Sequence, residues 1–168
     1  MNKSWIFAAL FLTIFPKVSL YSQSRLPNFS LEDQYQKSIQ SKNLKNQTVV
    51  LMGCEKEDIE LCRKIGRKIY WKLQNLLWKD SQRVHFIAYL NLTDSNSMIE
   101  RYILESREKQ FEPIYFDRKG ELKEGLKKDF VFFRIFGKKG DILNAEHFKS
   151  IENESIQSIY KILKSDIQ

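Results

Sequence analysis

The chain has 168 residues, with 28 lysines and arginines against 21 acidic residues, and its formal net charge is +7 at neutral pH. A chain of this length can bury one ordinary core without disulfide staples, and a second domain is not needed. Basic side chains are spread through the helical stretches and accompanied by acidic ones, as in residues 57–68, whereas a nucleic-acid-binding surface would cluster them on one face. We therefore expect one domain and no nucleic-acid partner.

The amino terminus, residues 1–22, has the order of features that is typical of a secretory signal. Lys3 precedes an apolar run at 5–15, and Pro16 and the small residues of 19–22 follow. A helix needs about 20 apolar residues to cross a bilayer, so this run is too short for a permanent anchor. We expect cleavage near residue 22, no stable transmembrane anchor, and a periplasmic or secreted protein.

The next segment, residues 23–47, is predicted to be an entry strand and a polar connection. Leu26, Phe29 and Leu31 give its first part the pattern of an apolar tether or edge strand. Residues 34–47 are polar and rich in lysine, which favours a short helix with a connection over a core element.

The main domain is predicted over residues 48–168. The apolar run at 49–52, which ends at Gly53, indicates a strand buried on both faces. A charged loop follows, and Asp58 is a plausible N-cap for the amphipathic helix of about 20 residues predicted after it. The apolar positions of that helix recur at steps of three and four: Cys62, Ile65, Ile69, Leu73 and Leu76.

A second buried strand is predicted at 84–90, and Thr93 or Asp94 would cap a second helix. The inward residues of that helix are expected to be Met98, Tyr102 and Leu104. Because a helix connects the two strands, the strands should be parallel.

The last third of the chain changes to strands and turns. Residues 113–116 lead into a turn at 117–120, and residues 130–143 form a predicted hairpin around Gly137 and Gly140. A final helix is predicted at 154–167. The resulting order, β-α-β-α-β-β-α, is that of a thioredoxin core, and it predicts an α/β/α sandwich around a mixed sheet.

Several segments also resemble known families. Residues 26–33 and 44–51 resemble the opening of redoxin and peroxiredoxin domains. Residues 116–120 and 132–142 resemble the paired turns of the small periplasmic YtfJ-type thioredoxin-like family. The resemblance covers about residues 26–165 and implies a thioredoxin-like fold, with the chemistry located after Met52.

Both cysteines of the chain lie in that region. Cys62, beside Arg63 and near a predicted helix N-terminus, is the better candidate for an activated thiol, and Cys54, among acidic residues, would be its partner. The pattern nevertheless departs from that of the enzymes. Seven residues separate the cysteines, no peroxiredoxin motif precedes either of them, and residues 128–131 lack the proline that thioredoxin oxidoreductases place there.

Three interpretations of Cys54 and Cys62 therefore stay open. They form a structural disulfide, which an oxidising compartment favours, or two buried thiols, or a redox-active pair. A disulfide closing this nine-residue loop would stabilise the fold by about 2.6 kcal/mol in the chain-entropy model. The sulfurs can meet only if the acidic loop doubles back, because disulfides keep their Cα atoms within about 7 Å.

The remaining candidates favour no other chemistry. His85 and His147 lie far apart in the sequence without a third ligand at metal spacing, so we expect no metal site and no cofactor. Two functions remain: a non-catalytic exported module that binds an extracytoplasmic protein partner, and a thiol-disulfide oxidoreductase or peroxiredoxin-like antioxidant that uses Cys62 and Cys54.

Overall fold

The computed structural model describes residues 24–95, 97–105 and 112–168, so the signal predicted at residues 1–22 lies outside the described residues. Within them the chain forms seven strands: β1 (Ser30–Asp33), β2 (Ser38–Gln40), β3 (Thr48–Glu55), β4 (Val84–Asn91), β5 (Tyr115–Asp117), β6 (Val131–Phe136) and β7 (Ile142–Phe148). The α-helices are α1 (Ile59–Leu77), α2 (Ser97–Glu105) and α3 (Asn153–Ile167). Short 3-10 helices cover Ser41–Leu44, Lys56–Asp58 and Trp78–Arg83.

The strands form one mixed sheet in the order β2-β1-β5-β4-β3-β6-β7. Strands β3, β4 and β5 are parallel, as their helical connections require. Strand β6 runs antiparallel to β3, and β7 antiparallel to β6, which confirms the predicted hairpin. The predicted α/β thioredoxin-like fold with a mixed sheet is therefore confirmed. Within residues 48–168 the structure adds β5 to the four strands of the predicted order, and β1 and β2 precede them.

Strand β3 lies inside the sheet and is buried on both faces. Alternate side chains point to opposite sides of a strand, so Val50, Met52 and Cys54 join one apolar cluster while Val49 and Leu51 join another. This division creates two cores, one on each side of the sheet.

The first core contains the buried side chains of the α-helices. Helix α1 matches its prediction, except that Leu77 is buried where Leu76 was expected to be. Two of the inward residues predicted for α2 are wrong, since Met98 and Tyr102 are 71% and 54% exposed. Ile103 is buried instead, and the side chain of Leu104 lies outside the described residues. The Tyr102 hydroxyl instead donates a hydrogen bond to Glu60 Oε1 at 3.1 Å, which holds that ring at the surface beside α1.

The second core lies under the amino-terminal segment. Phe29, Leu31 and Leu44 are buried against it, together with Leu122 from the loop before β6. The entry strand β1 is not at the edge, because β2 pairs with its outer side. In place of the helix expected within 34–47, the chain forms β2 and the 3-10 helix Ser41–Leu44.

Candidate functional site

The two cysteines meet where β3 ends and α1 begins. A disulfide joins Cys54 to Cys62 with a Cα–Cα distance of 6.1 Å. Strand β3 continues through Cys54 to Glu55, so Cys54 belongs to the strand and not to the charged loop predicted after Gly53. The 3-10 turn Lys56–Asp58 reverses the chain between the cysteines, as a bridge requires. The structure thus brings together the two site residues that the sequence predicted.

Both cysteines are buried. Cys54 has no exposed surface and Cys62 is 5% exposed, and both pack in the apolar cluster on the helix side of the sheet. The Arg63 side chain, expected to activate the Cys62 thiol, is only 11% exposed and forms an ion pair with Glu60 at 3.1 Å. Thiol exchange depends on access to a sulfur atom, so this environment favours an inert bridge.

The loop before β6 differs from that of thioredoxin oxidoreductases in the way the sequence predicted. No cis peptide bond occurs among the described residues, and Asp129 has a left-handed backbone with φ 64°. Its N–H donates to Asp58 Oδ2 at 2.8 Å. Asp58 does occupy the N-cap position of α1, but its carboxylate makes no capping bond to the helix and instead fixes the neighbouring loop.

Polar side chains at the ends of β3 and β4 are bonded to one another. Asn91 donates to Glu55 Oε2 at 2.9 Å, and Asn91 Oδ1 accepts from the Thr93 hydroxyl at 2.6 Å. The Lys56 ammonium donates to the Thr93 carbonyl at 3.1 Å. These contacts connect the end of β3, which carries Cys54, to the end of β4. The polar side chains that follow Cys54 are therefore engaged in hydrogen bonds within the fold.

One opening reaches the disulfide from the side. A cavity of about 310 Å³ lies between α1 and the sheet, and Cys62 is among its lining residues. Met52, Phe86 and Ile114 make much of its wall apolar, and Arg67 also lines it. A small or flexible group could therefore approach Cys62 through this cavity, whereas Cys54 does not line it.

A buried polar cluster on the other face of the sheet was missed by the sequence analysis. Arg134 is 1% exposed, and its guanidinium donates to the Tyr89 hydroxyl at 2.6 Å. The Tyr89 hydroxyl donates in turn to the Leu122 carbonyl at 3.0 Å, and burial raises the pKa of Tyr89 to about 12. The one signal in the sequence is an arginine inside the apolar run at 131–136.

Gly53 makes that cluster possible. Tyr89 pairs with Gly53 across β3 and β4, while Arg134 pairs with Leu51 on the other side of β3. A Cβ atom on Gly53 would overlap the Tyr89 ring. The glycine therefore lets the tyrosine ring lie over β3 and reach an arginine two strands away.

His147 has structural contacts, and neither histidine favours a charged ring. His147 Nε2 donates to the Gly125 carbonyl at 2.7 Å, and its ring stacks on Phe132 with a centroid distance of 4.4 Å. Burial lowers the pKa of both His147 and His85, so both favour the neutral ring. Among the described residues, no group of three or more His, Cys, Asp or Glu side chains could hold a metal ion.

Comparison with known proteins is informative at the level of the fold. No family model and no curated protein sequence matches the chain. A Chlorobium tepidum structure described as a thiol:disulfide interchange protein, DsbE, superposes with a TM-score of 0.61 at 13% identity over 86% of this chain and 96% of its own. The thioredoxin domain of a Bacteroides vulgatus thiol-disulfide oxidoreductase gives 0.56 at 18% identity, over 89% and 100%.

A third similar structure is an exposed lipoprotein thioredoxin from Streptococcus pneumoniae, with a TM-score of 0.54 at 12% identity over 82% of this chain and 98% of its own. The three proteins share the architecture of this chain across nearly their whole length. Their sequence identities are so low that they indicate the fold alone. The solved structures and the sheet order agree on one conclusion, a thioredoxin-like fold.

Proposed function

We propose, with this thioredoxin-like fold as the premise, that the chain is an exported module that binds or scaffolds a protein partner outside the cytoplasm, and that its disulfide is structural. The observation that carries the proposal is the burial of both cysteines, 0% exposed for Cys54 and 5% for Cys62. A thioredoxin-type enzyme presents at least one sulfur to its substrate, because exchange begins when a substrate thiolate reaches a sulfur atom.

Three further observations support the non-catalytic role. The cysteines are eight positions apart, on a strand and a helix that pack together, so the bridge staples two core elements. The loop before β6 is held by Asp58 and contains no proline. Arg63, the nearest candidate for stabilising a thiolate, is bonded to Glu60.

Export is supported by the amino-terminal pattern at residues 1–22 and by the bridge, since disulfides persist in oxidising compartments. Within the part of the chain that the structure describes, no helix combines the length and the hydropathy needed to cross a bilayer. The test is the amino-terminal sequence of the protein recovered from outside the cytoplasm. We expect a start near residue 23, and an intact Met1 in that fraction would contradict processing.

A second function, thiol-disulfide exchange, is favoured by the cavity at Cys62 and by the printed descriptions of the similar structures. In that reaction a substrate thiolate would attack Cys62 Sγ and break the bridge, and Cys54 would leave as a thiolate. A second substrate thiol would then release a substrate disulfide and a reduced Cys54–Cys62 pair. The substrate is oxidised and the protein is reduced by two electrons.

One experiment separates the two functions. Free thiols would be counted in the native protein and after denaturation with reductant, and turnover of a dithiol or disulfide substrate would be followed for wild type, Cys54→Ser and Cys62→Ser. We expect no thiol in the native state, two after reduction, and no turnover by any form. Turnover by wild type that is lost in a folded Cys62→Ser variant would contradict the binding module and support the enzyme.

A further inference from the structure

The outward face of α1 and the 3-10 helix after it carry exposed lysines and tryptophans. Two of them also bond within the fold, since Lys68 donates to the Ile151 carbonyl and Trp71 Nε1 donates to Glu112 Oε1 at 3.3 Å. The residues of this set are all exposed, and most of them recur at helical steps of three and four along the side of α1 away from the sheet. We call this set the lysine stripe: Lys64, Lys68, Trp71, Lys72, Asn75, Trp78 and Lys79.

The charges of the lysine stripe are poorly compensated. The arginines at its border form ion pairs, Arg63 with Glu60 at 3.1 Å and Arg67 with Glu112 at 2.8 Å. Lys64 and Lys72 have no acidic partner among the described residues, and Lys68 donates to the carbonyl of Ile151 at 2.5 Å. Like charges four residues apart destabilise a helix by a few tenths of a kcal/mol per pair, so an external anion would stabilise this face.

The tryptophans of the stripe are also unusual. Trp71 is 53% exposed and Trp78 is 73% exposed, and both are among the most exposed large apolar side chains of the described residues. Trp78 ends α1 with φ 52° and ψ −122°, a left-handed backbone that a bulky side chain rarely adopts. Such unfavourable conformations often mark functional positions.

We propose that the lysine stripe is a peripheral docking surface for an anionic lipid bilayer. Tryptophan prefers the boundary between lipid headgroups and acyl chains, and each lysine near an anionic surface contributes about 1 kcal/mol of attraction. A protein partner is less suited to this surface, because protein interfaces are enriched in arginine and depleted of lysine. Here Arg63 and Arg67 are paired within the chain, whereas Lys64 and Lys72 are exposed.

The surface is independent of the disulfide, and it goes beyond the proposed function by giving the module a location on a membrane. Cys62 faces the sheet from the opposite side of α1, so docking would leave the bridge covered by the core. Tyr102, 54% exposed, borders the same groove as Lys64 and Trp71 and would lie close to the headgroups.

The test uses tryptophan fluorescence of the full chain. The chain has three tryptophans, and replacing Trp5 by Phe leaves Trp71 and Trp78 as the only emitters. The protein would be added to vesicles of brominated lipid, either pure phosphatidylcholine or a mixture with about one third phosphatidylglycerol. The apolar run at 5–15 would bring the chain to both vesicle types, and Lys3 and Lys17 beside it favour the anionic one. The contribution of the face of α1 is therefore measured by comparing charge variants.

The decisive variants reverse charge at two positions. Lys64→Glu with Lys72→Glu removes the uncompensated charge, and it replaces the like-charge neighbours of Lys68 with attractive ones that preserve the helix. The matched control, Lys42→Glu with Lys139→Glu, makes the same change of net charge at exposed lysines far from the stripe in sequence. Thermal unfolding would verify that both variants fold.

We expect quenching on anionic vesicles to exceed that on neutral vesicles about fivefold and to fall to the neutral level in about 1 M salt. The stripe variant should lose the difference, and the control should keep it. Equal quenching on both vesicles, or an equal loss in both variants, would overturn the proposal. Tryptophans that stay unquenched on anionic vesicles would overturn it too.

Discussion

The two faces of the central sheet are stabilised by different chemistry. On the helix face, β3 contributes Val50, Met52 and Cys54 to an apolar core that a disulfide ties to α1. On the other face, the same strand lies beneath the Tyr89–Arg134 cluster, in which a buried charge and a hydroxyl are bonded to each other.

This difference indicates which face of the sheet depends most on the identity of its residues. An apolar core accepts changes of shape if its volume is preserved, whereas a buried polar network depends on every partner. The cluster needs the exact register of three strands, since Gly53, Tyr89 and Arg134 come from β3, β4 and β6. We therefore expect the polar face to be the more sensitive to mutation, and the bridged face to be stabilised by a contribution that can be removed without misfolding.

The largest effect is expected for Arg134→Ala. Removing the guanidinium leaves the Tyr89 hydroxyl without its donor and opens a cavity among aromatic rings, one of which lies 4.7 Å from the Arg134 charge centre. The free energy of unfolding, measured in urea, should fall by about 3–5 kcal/mol. The matched control is Arg118→Ala, which breaks an exposed ion pair with Glu100 and should cost less than about 1 kcal/mol. Similar losses in the two variants would refute the special role of the buried arginine.

Next in size is Gly53→Ala, which places a methyl group against the Tyr89 ring. Overpacking of this kind costs about 1–3 kcal/mol. We expect the upper end, because the Tyr89 ring is held in place by the hydrogen bond that its hydroxyl accepts from Arg134 and the one that it donates to Leu122. Gly66→Ala is the control on the helix face, where a Cβ would meet only Met52 Sδ at 4.0 Å. That change should stabilise the protein by about 0.5–1 kcal/mol. Equal signs for the two variants would show that the faces do not differ as described.

Removing the bridge by Cys54→Ala with Cys62→Ala should lower the free energy of unfolding by about 2.6 kcal/mol, the entropy of the closed loop. The single variants are the controls, because each lacks the bridge and leaves one buried thiol. All three should keep the native circular dichroism spectrum. A double variant that does not fold would mean that the bridge determines the structure and does more than stabilise it.

The smallest effect is a loss of stability at alkaline pH. The pKa of Tyr89 is raised by burial to about 12 in the folded protein, against about 10 for an exposed tyrosine. Above pH 10 the unfolded state releases this proton while the folded state retains it, so stability falls as the pH rises towards 12. The loss at pH 11 should be about 1.4 kcal/mol. Tyr89→Phe should show a shallower decline, and an identical decline would assign the effect to other groups.

Much of the helix face was predictable from the sequence. The hydrophobic patterns of β3, α1 and β4 are long, so the type of each element was clear from the sequence. The two cysteines lie where β3 and α1 meet. In helix α2 the apolar side chains Tyr102 and Ile103 are adjacent, so the sequence did not decide which of them faces inward, and Tyr102 was chosen where Ile103 is buried.

The polar face was not predictable, because its residues come from distant strands. A tyrosine in a buried strand has an ordinary apolar pattern, and nothing local indicates that its hydroxyl meets Arg134, which is 45 positions away. Strand β2 was missed for a related reason. It has three residues and no buried side chain, so its place at the edge depends on pairing with β1.

The central claim, that the Cys54–Cys62 bridge is a structural element of the core, is tested most directly by its rate of reduction in the native protein. The bridge would be exposed to a small dithiol at increasing urea concentrations below the unfolding transition, and the new thiols trapped by alkylation and counted by mass. We predict that reduction is slow without urea and accelerates in step with the unfolded population, because in the folded protein Cys54 is fully buried and Cys62 is only 5% exposed. Rapid reduction without urea, at a rate that urea does not change, would contradict the account and identify an accessible redox disulfide.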